Sequence, residues 1–153
     1  MLAQRVAPGQ IIGLYAAKGS EVDTAAIDRG ARQIGLEIAY PRVIGDARPL
    51  AFHAATLDEL VPGRLGLKEP PAAAPEVALE KIAAFVMPGI AFDRAGGRMG
   101  WGRGHYDATV AATPGALRIG VAFECQIIDG VPREPHDAQL HLIITEASTY
   151  AVT

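Results

Sequence analysis

The sequence predicts an α/β protein, a three-layer α/β/α domain on a mostly parallel central sheet. Three observations lead there. The apolar runs at Gln10 to Tyr15, Leu36 to Tyr40, Lys81 to Met87, Leu117 to Phe123 and His141 to Thr145 are mostly continuous rather than alternating, as in strands covered on both faces. A segment with helical spacing separates the first two runs, which makes a βαβ opening. The chain has 153 residues, 50% of them hydrophobic, the size of one domain with a core of its own.

Taken in order, the first strand is followed by a helix expected over Glu21 to Gly35. Val22, Ala26, Ile27, Gly30 and Ile34 recur near helical spacing, and Ser20-x-x-Asp23 offers a capping box before them. Leu50 to His53 reads as a further short strand, while Leu57 to Leu60 is too brief to assign. From Pro62 to Pro75 the prolines at 62, 70, 71 and 75 and the glycines at 63 and 66 predict an extended connection across the surface. The strand Lys81 to Met87 then runs into a glycine-rich segment, after which the apolar run Ala108 to Ala112 suggests a short helix. No internal repeat or second core is present, so residues 1–153 are expected to form a single domain.

A formal net charge of −3 argues against a general nucleic-acid binder, which would carry a basic face. Cys125 is the only cysteine, so neither an internal disulfide nor a thiolate zinc cluster can be built, and a reducing cytosol fits best. The start, MLAQRVAPGQ, lacks the pattern of a secretory leader, and no run approaches the ~18 apolar residues of a membrane span. A cytoplasmic monomer with no nucleic-acid or membrane partner is expected. Cys125, beside a strand and without a basic neighbour, reads as a buried inert thiol, and His53 and His141 as structural histidines in apolar segments.

The segment MPGIAFDRAGGRMGWGRGHYD, Met87 to Asp107, is the most informative in the chain, and its composition suits a polyphosphate site. Glycines at 97, 100, 102 and 104 let a backbone close on a ligand and turn several N–H groups one way, and Arg98 and Arg103 bring forked cations suited to phosphate. The segment follows a parallel strand directly, the place where open α/β sheets bind ligands. Neither a Walker loop nor the dinucleotide fingerprint fits its G-x-G-x-G spacing. A glycine hairpin or flexible lid with solvated arginines is the alternative reading.

These residues resemble the signature of the 5-formyltetrahydrofolate cyclo-ligase family, also called methenyltetrahydrofolate synthetase. The likeness continues through LYAAKGSEVDT, YPRV and LKEP upstream and IGVAFECQ, REPHD and IITE downstream, in order over nearly the whole chain. The resemblance implies an ATP-driven, Mg2+-dependent closure of 5-formyltetrahydrofolate to 5,10-methenyltetrahydrofolate, with release of ADP and phosphate. By position in the motif it places ATP on Arg98, Met99, Gly100, Trp101, Gly102, Arg103, Gly104, His105 and Tyr106, with Trp101 to Tyr106 also facing the folate. It implies catalytic roles for Arg98, Arg103 and Tyr106, and Mg2+ on Asp107 and Asp137. Glu21 matches an acidic residue that binds the pterin, and Ala16 stands where the family has a larger apolar substrate contact. From the residues alone, helix-start electrostatics is the favoured role of both Asp107 and Glu21, and only the resemblance turns them toward ligands.

Family members begin with a basic N-terminal helix, whereas here only Arg5 precedes the first strand. Losing two cations beside a triphosphate would cost charge-assisted bonds of about 1.5–3 kcal/mol each, so a chain that starts here is expected to bind ATP more weakly. Two other readings stand beside the cyclo-ligase. One is a non-catalytic folate or nucleotide-binding module, or a truncated inactive homologue. The other is a metal-dependent hydrolase with zinc or manganese on His105, Asp107, His136 and Asp137.

Overall fold

A computed structural model describes residues 4–153. Its strands are β1 (Ile11–Gly13), β2 (Glu37–Arg42), β3 (Ala51–Ala54), β4 (Val61–Pro62), β5 (Lys68–Glu69), β6 (Glu76–Val77), β7 (Ile82–Met87), β8 (Ala91–Asp93), β9 (Arg98–Met99), β10 (Leu117–Val121), β11 (Ile127–Ile128), β12 (Leu142–Ile144) and β13 (Thr149–Ala151). The α-helices are α1 (Ala25–Gln33) and α2 (His105–Ala111), and four single 3-10 turns lie between strands. Eight strands form the central sheet in the order β13-β12-β10-β7-β1-β2-β3-β6.

The five runs expected as strands are the contiguous block β12-β10-β7-β1-β2, and every pairing within it is parallel. The flanking pairings β2–β3, β3–β6 and β12–β13 are antiparallel. The strand expected over Leu50 to His53 is present as β3, but it returns against β2 rather than continuing the parallel series.

Alternate residues of the block feed two cores. Ile12, Leu14, Ile38, Tyr40, Ala84, Val86 and Ile119 face one side with Ala31 and Ile27 of α1. Ala39, Phe85, Met87 and Ile143 face the other with Val110 and Tyr106 of α2. Helices on opposite faces of a covered sheet give the three layers that the continuous apolar runs predict. No helix among the described residues is long and apolar enough to cross a membrane.

Helix α1 starts later than expected, and the capping box at Ser20 and Asp23 does not form. Asp23 Oδ1 accepts from the Ala25 N–H at 2.9 Å, while the Thr24 hydroxyl donates to the Tyr15 carbonyl at 2.6 Å and pins the incoming chain to the end of β1. The buried face also differs. Ile34 is 40% exposed, whereas Asp28 is buried, accepting from Tyr40 Oη at 2.5 Å and Arg32 Nε at 2.8 Å. Helical spacing alone could not show that a satisfied carboxylate takes an inward position. The helix is closed off just past its C-cap Ile34 by Gly35, whose φ of +85° lets the Leu36 N–H return to Ala31 O at 3.0 Å.

The connection from Pro62 to Pro75 crosses the surface as expected, but it carries the short β4–β5 hairpin and sinks Glu69 to 3% exposure. Glu69 Oε1 accepts there from the Val43 N–H at 3.1 Å.

Two glycines in the parallel block make room for aromatic rings. A Cβ on Gly13 would lie 2.7 Å from Phe52 and 2.9 Å from Phe85, whose rings meet edge to face at 5.2 Å. A Cβ on Gly120 would lie 2.8 Å from both Phe92 and Leu140. Gly120→Ala is expected to destabilise by about 1–3 kcal/mol through overpacking, read from urea denaturation with an unchanged m-value; an unshifted midpoint would show that the second core has slack.

Candidate active site

The order of the parallel strands reverses at β1, with β2 on one side and β7 on the other. Loops leaving the carboxyl ends of strands at such a reversal enclose a crevice. The loop after β1 carries Ala16 and Glu21, and the segment after β7 carries Arg98 to Asp107. Both groups of predicted site residues therefore rise from neighbouring strands at the switch point.

The first half of the glycine segment is an ordered hairpin rather than an irregular loop. Strand β8 pairs antiparallel with β9, and β11 adds a third, parallel strand. Its turn is built on Asp93, which is 3% exposed. Asp93 Oδ1 accepts from the N–H groups of Ala95 and Gly97, both at 2.9 Å, and from Arg133 Nη2 at 2.8 Å. Oδ2 accepts from the Val131 N–H at 2.8 Å. The Gly97 N–H is thus spent on the turn. A Cβ at Gly97 would collide with Asp93 Oδ2, so this glycine serves close packing. Sequence reasoning missed Asp93 and Arg133; the signal was an aspartate four residues ahead of the second glycine of a Gly-Gly turn.

Beyond β9 the chain runs through Gly100, Trp101, Gly102, Arg103 and Gly104 with little support. Gly102 and Gly104 have φ of +81° and +72°, and a Cβ on Gly102 would meet nothing within 4 Å. Met99 is 36% exposed and Trp101 64% exposed, and Arg103 is exposed with no ion pair among the described residues. His105 opens α2 with Nδ1 3.3 Å from the Arg48 carbonyl. One turn later the Thr109 hydroxyl donates to His105 O at 2.7 Å and accepts from the Leu50 N–H at 2.9 Å, fixing α2 to the start of β3.

Arg98 is the centre of charge. Its side chain is only 8% exposed, Nη1 donates to Pro88 O at 2.9 Å, and Nη2 lies 3.7 Å from Asp107 Oδ1. The guanidinium carbon sits 5.5 Å from the centroid of the Tyr106 ring. Burial lowers the Arg98 pKa, and the charges of Asp107 and Asp137 oppose that shift. Burial raises Tyr106, and Glu21 and Tyr15 push it the same way against Arg98, so the two loops converge around this phenol. Glu21 is itself raised by burial, opposed by the Lys18 N–H at 3.1 Å, the Trp101 side chain and the Lys18 ammonium. Ala16 is partly buried against the first core.

Asp107 and Asp137 share the neighbourhood of Arg98. Asp137 Oδ2 accepts from the Glu134 N–H at 2.7 Å, and its Oδ1 lies 3.6 Å from His136 Nε2. Both aspartates keep partial exposure, 35% and 28% for their side chains. A pair of reachable carboxylates fits Mg2+, which takes one or two protein oxygens and completes its shell with phosphate and water. Among the described residues no three His, Cys, Asp or Glu side chains converge as a metal cluster. His136 instead faces Glu134 at 3.2 Å. Cys125 is exposed rather than buried, because the apolar strand ends at Val121 and a surface turn follows. Two open concavities of ≈ 400 and ≈ 460 Å³ lie beside β3 and β6, away from these charges. The convergence of Arg98, Tyr106, Asp107 and Glu21 marks the candidate site, because an anionic ligand would need charge that the apolar hollows lack.

The sequence profile of the 5-formyltetrahydrofolate cyclo-ligase family matches residues 2–146, so the match contains both loops and both aspartates. The chain belongs to the 5-formyltetrahydrofolate cyclo-ligase family. A protein named 5-formyltetrahydrofolate cyclo-ligase from Mycolicibacterium smegmatis is 31% identical over 145 residues, covering 90% of this chain and 74% of its own. The protein of that name from Escherichia coli K12 is 27% identical over 146 residues, covering 91% and 79%. The solved structure of Aquifex aeolicus 5,10-methenyltetrahydrofolate synthetase superposes with a TM-score of 0.78 at 26% identity, covering 94% of this chain and 72% of that one. Membership of the cyclo-ligase family makes the chain an enzyme of the ligase class and confirms its α/β fold.

Asp93 yields a pH prediction. Burial works against its charge, but the Val131 and Gly97 N–H groups and Arg133 together hold its carboxyl below the usual range. Between that lowered value and the unfolded value of about 3.9, the unfolded chain binds a proton that the folded chain does not, so stability falls as pH drops. Asp93→Asn is therefore expected to cost about 2 kcal/mol near pH 7, and the gap from wild type should narrow below about pH 4. Denaturation of both proteins across pH checks this, and a constant gap would count against it.

Proposed function

We propose that this chain, as one domain, closes 5-formyltetrahydrofolate to 5,10-methenyltetrahydrofolate, converting ATP to ADP and phosphate. The observation that carries the reading is the convergence, at the switch point of a cyclo-ligase fold, of a glycine–arginine loop, two carboxylates and the half-buried Glu21.

The formyl oxygen is a poor leaving group. Transfer of the γ-phosphoryl group to it releases ADP and makes it a good one. The neighbouring folate nitrogen then attacks the formyl carbon, a C–N bond forms, the nitrogen gives up its proton to phosphate or water, and the C–O bond breaks with departure of phosphate. The protein contributes position and charge rather than covalent chemistry.

In this scheme the backbone from Met99 to Gly104 wraps the phosphates, and exposed Arg103 meets them with its fork. Trp101, His105 and Tyr106 wall the reacting formyl group. Tyr106 is protonated at neutral pH, as a phenol ordinarily is and burial reinforces, so its hydroxyl is available as a hydrogen-bond donor. Glu21 accepts from the amino-pyrimidine edge of the pterin, and Ala16 leaves that wall shallow. Asp107 and Asp137 would hold Mg2+, which when bound neutralises phosphate charge.

Growth of the methenyl absorbance band with purified protein, 5-formyltetrahydrofolate, ATP and Mg2+ tests the reading. Asp107→Ala is expected to lower the rate by about 100-fold or more at unchanged fold, by analogy with loss of one preorganised electrostatic group. Binding of both substrates with no band would favour a binding module.

A further inference from the structure

Two arginines lie on the loop, and the structure gives them opposite situations. Arg103 is exposed and unengaged among the described residues, ready for a ligand. Arg98 is already committed on three sides. Nη1 donates to Pro88 O at 2.9 Å, Nη2 faces Asp107 Oδ1 at 3.7 Å, and the Tyr106 ring lies 5.5 Å away. The backbone is shaped around it. A Cβ on Gly100 would lie 2.8 Å from Arg98 Nη1, and one on Gly89 3.1 Å from Arg98 Cγ. A cation with a side chain 8% exposed cannot swing out to follow a ligand without breaking these contacts.

Resting on the cyclo-ligase reading, we propose that Arg98 is the internal counter-ion of the divalent-cation site, a positioning residue that holds Asp107 in place and keeps free metal out until phosphate arrives with it. The pull of Asp107 and Asp137 on the Arg98 charge is the same interaction seen from the other side. With Nη2 3.7 Å from Asp107 Oδ1, the guanidinium would repel a divalent ion held on that carboxylate. A unit charge repelling a double charge over roughly 5 Å costs about tenfold in binding even at the dielectric of water. The nucleotide's own negative charge offsets that repulsion, so metal and nucleotide enter together.

The test is Mn2+ binding without nucleotide, followed by the resonance signal of free Mn2+, on wild type, Arg98→Gln, Arg98→Lys and Asp107→Asn. Glutamine can still donate to the Pro88 carbonyl but carries no charge. Arg98→Gln is expected to bind Mn2+ about tenfold more tightly than wild type, Arg98→Lys within about threefold of it, and Asp107→Asn more weakly. Equal or weaker Mn2+ binding by folded Arg98→Gln overturns the proposal, as does Mn2+ binding that ignores Asp107. Should Arg98→Gln not fold, a large change in Arg98→Lys, which keeps the charge, overturns it equally. The methenyl assay on the same wild-type protein separates the two claims: no product alongside the expected Mn2+ pattern would sink the cyclo-ligase reading and leave the counter-ion standing.

Discussion

A parallel sheet must be covered on both faces, and this chain has only two α-helices among its described residues to do it. The deficit is met by the segment that bears the candidate site. Phe92 of β8 is fully buried in the second core, under the space that Gly120 leaves, and Leu140 closes the same region from the segment before β12. The loop proposed to carry the chemistry is therefore anchored by the same packing that completes the fold. Its tip, from Gly100 to Gly104, is open, while its base is as rigid as the core it fills.

Two buried charges at that base are handled differently. Asp93 is saturated by three N–H groups and a guanidinium, and its acidity is strengthened accordingly. Arg98 is less completely compensated, with one carbonyl at close range and a carboxylate at 3.7 Å. The first arrangement belongs to architecture. The second leaves electrostatic demand unspent beside the place where phosphate charge is proposed to gather.

Much of this is legible in the sequence because burial on both faces writes long apolar runs, and all five parallel strands follow from them. β6 and β13 do not, since Glu76–Val77 and Thr149–Ala151 are short edge pairings with no pattern of their own. The order of loops around the switch point follows from topology, so Glu21 and Arg98 could be named separately but not joined. Their convergence around Tyr106 brings together loops far apart in the chain and exists only in three dimensions. Glycines are legible as a class but not by individual role, since Gly97 and Gly120 answer to packing, whereas Gly102 and Gly104 answer to backbone freedom. Polar groups turned inward, such as Asp28, Glu69 and Asp93, break the apolar code because they are satisfied by partners that no local pattern reveals.

Trp101 is the only tryptophan in the chain, and it stands 64% exposed on the least supported stretch of the loop. Intrinsic indole emission therefore reports on the loop tip and says little about the two cores. Emission and backbone dichroism followed together during denaturation would separate local loosening of the site from global unfolding. The protein comes with its own optical probe, located on the loop proposed to hold the ligand.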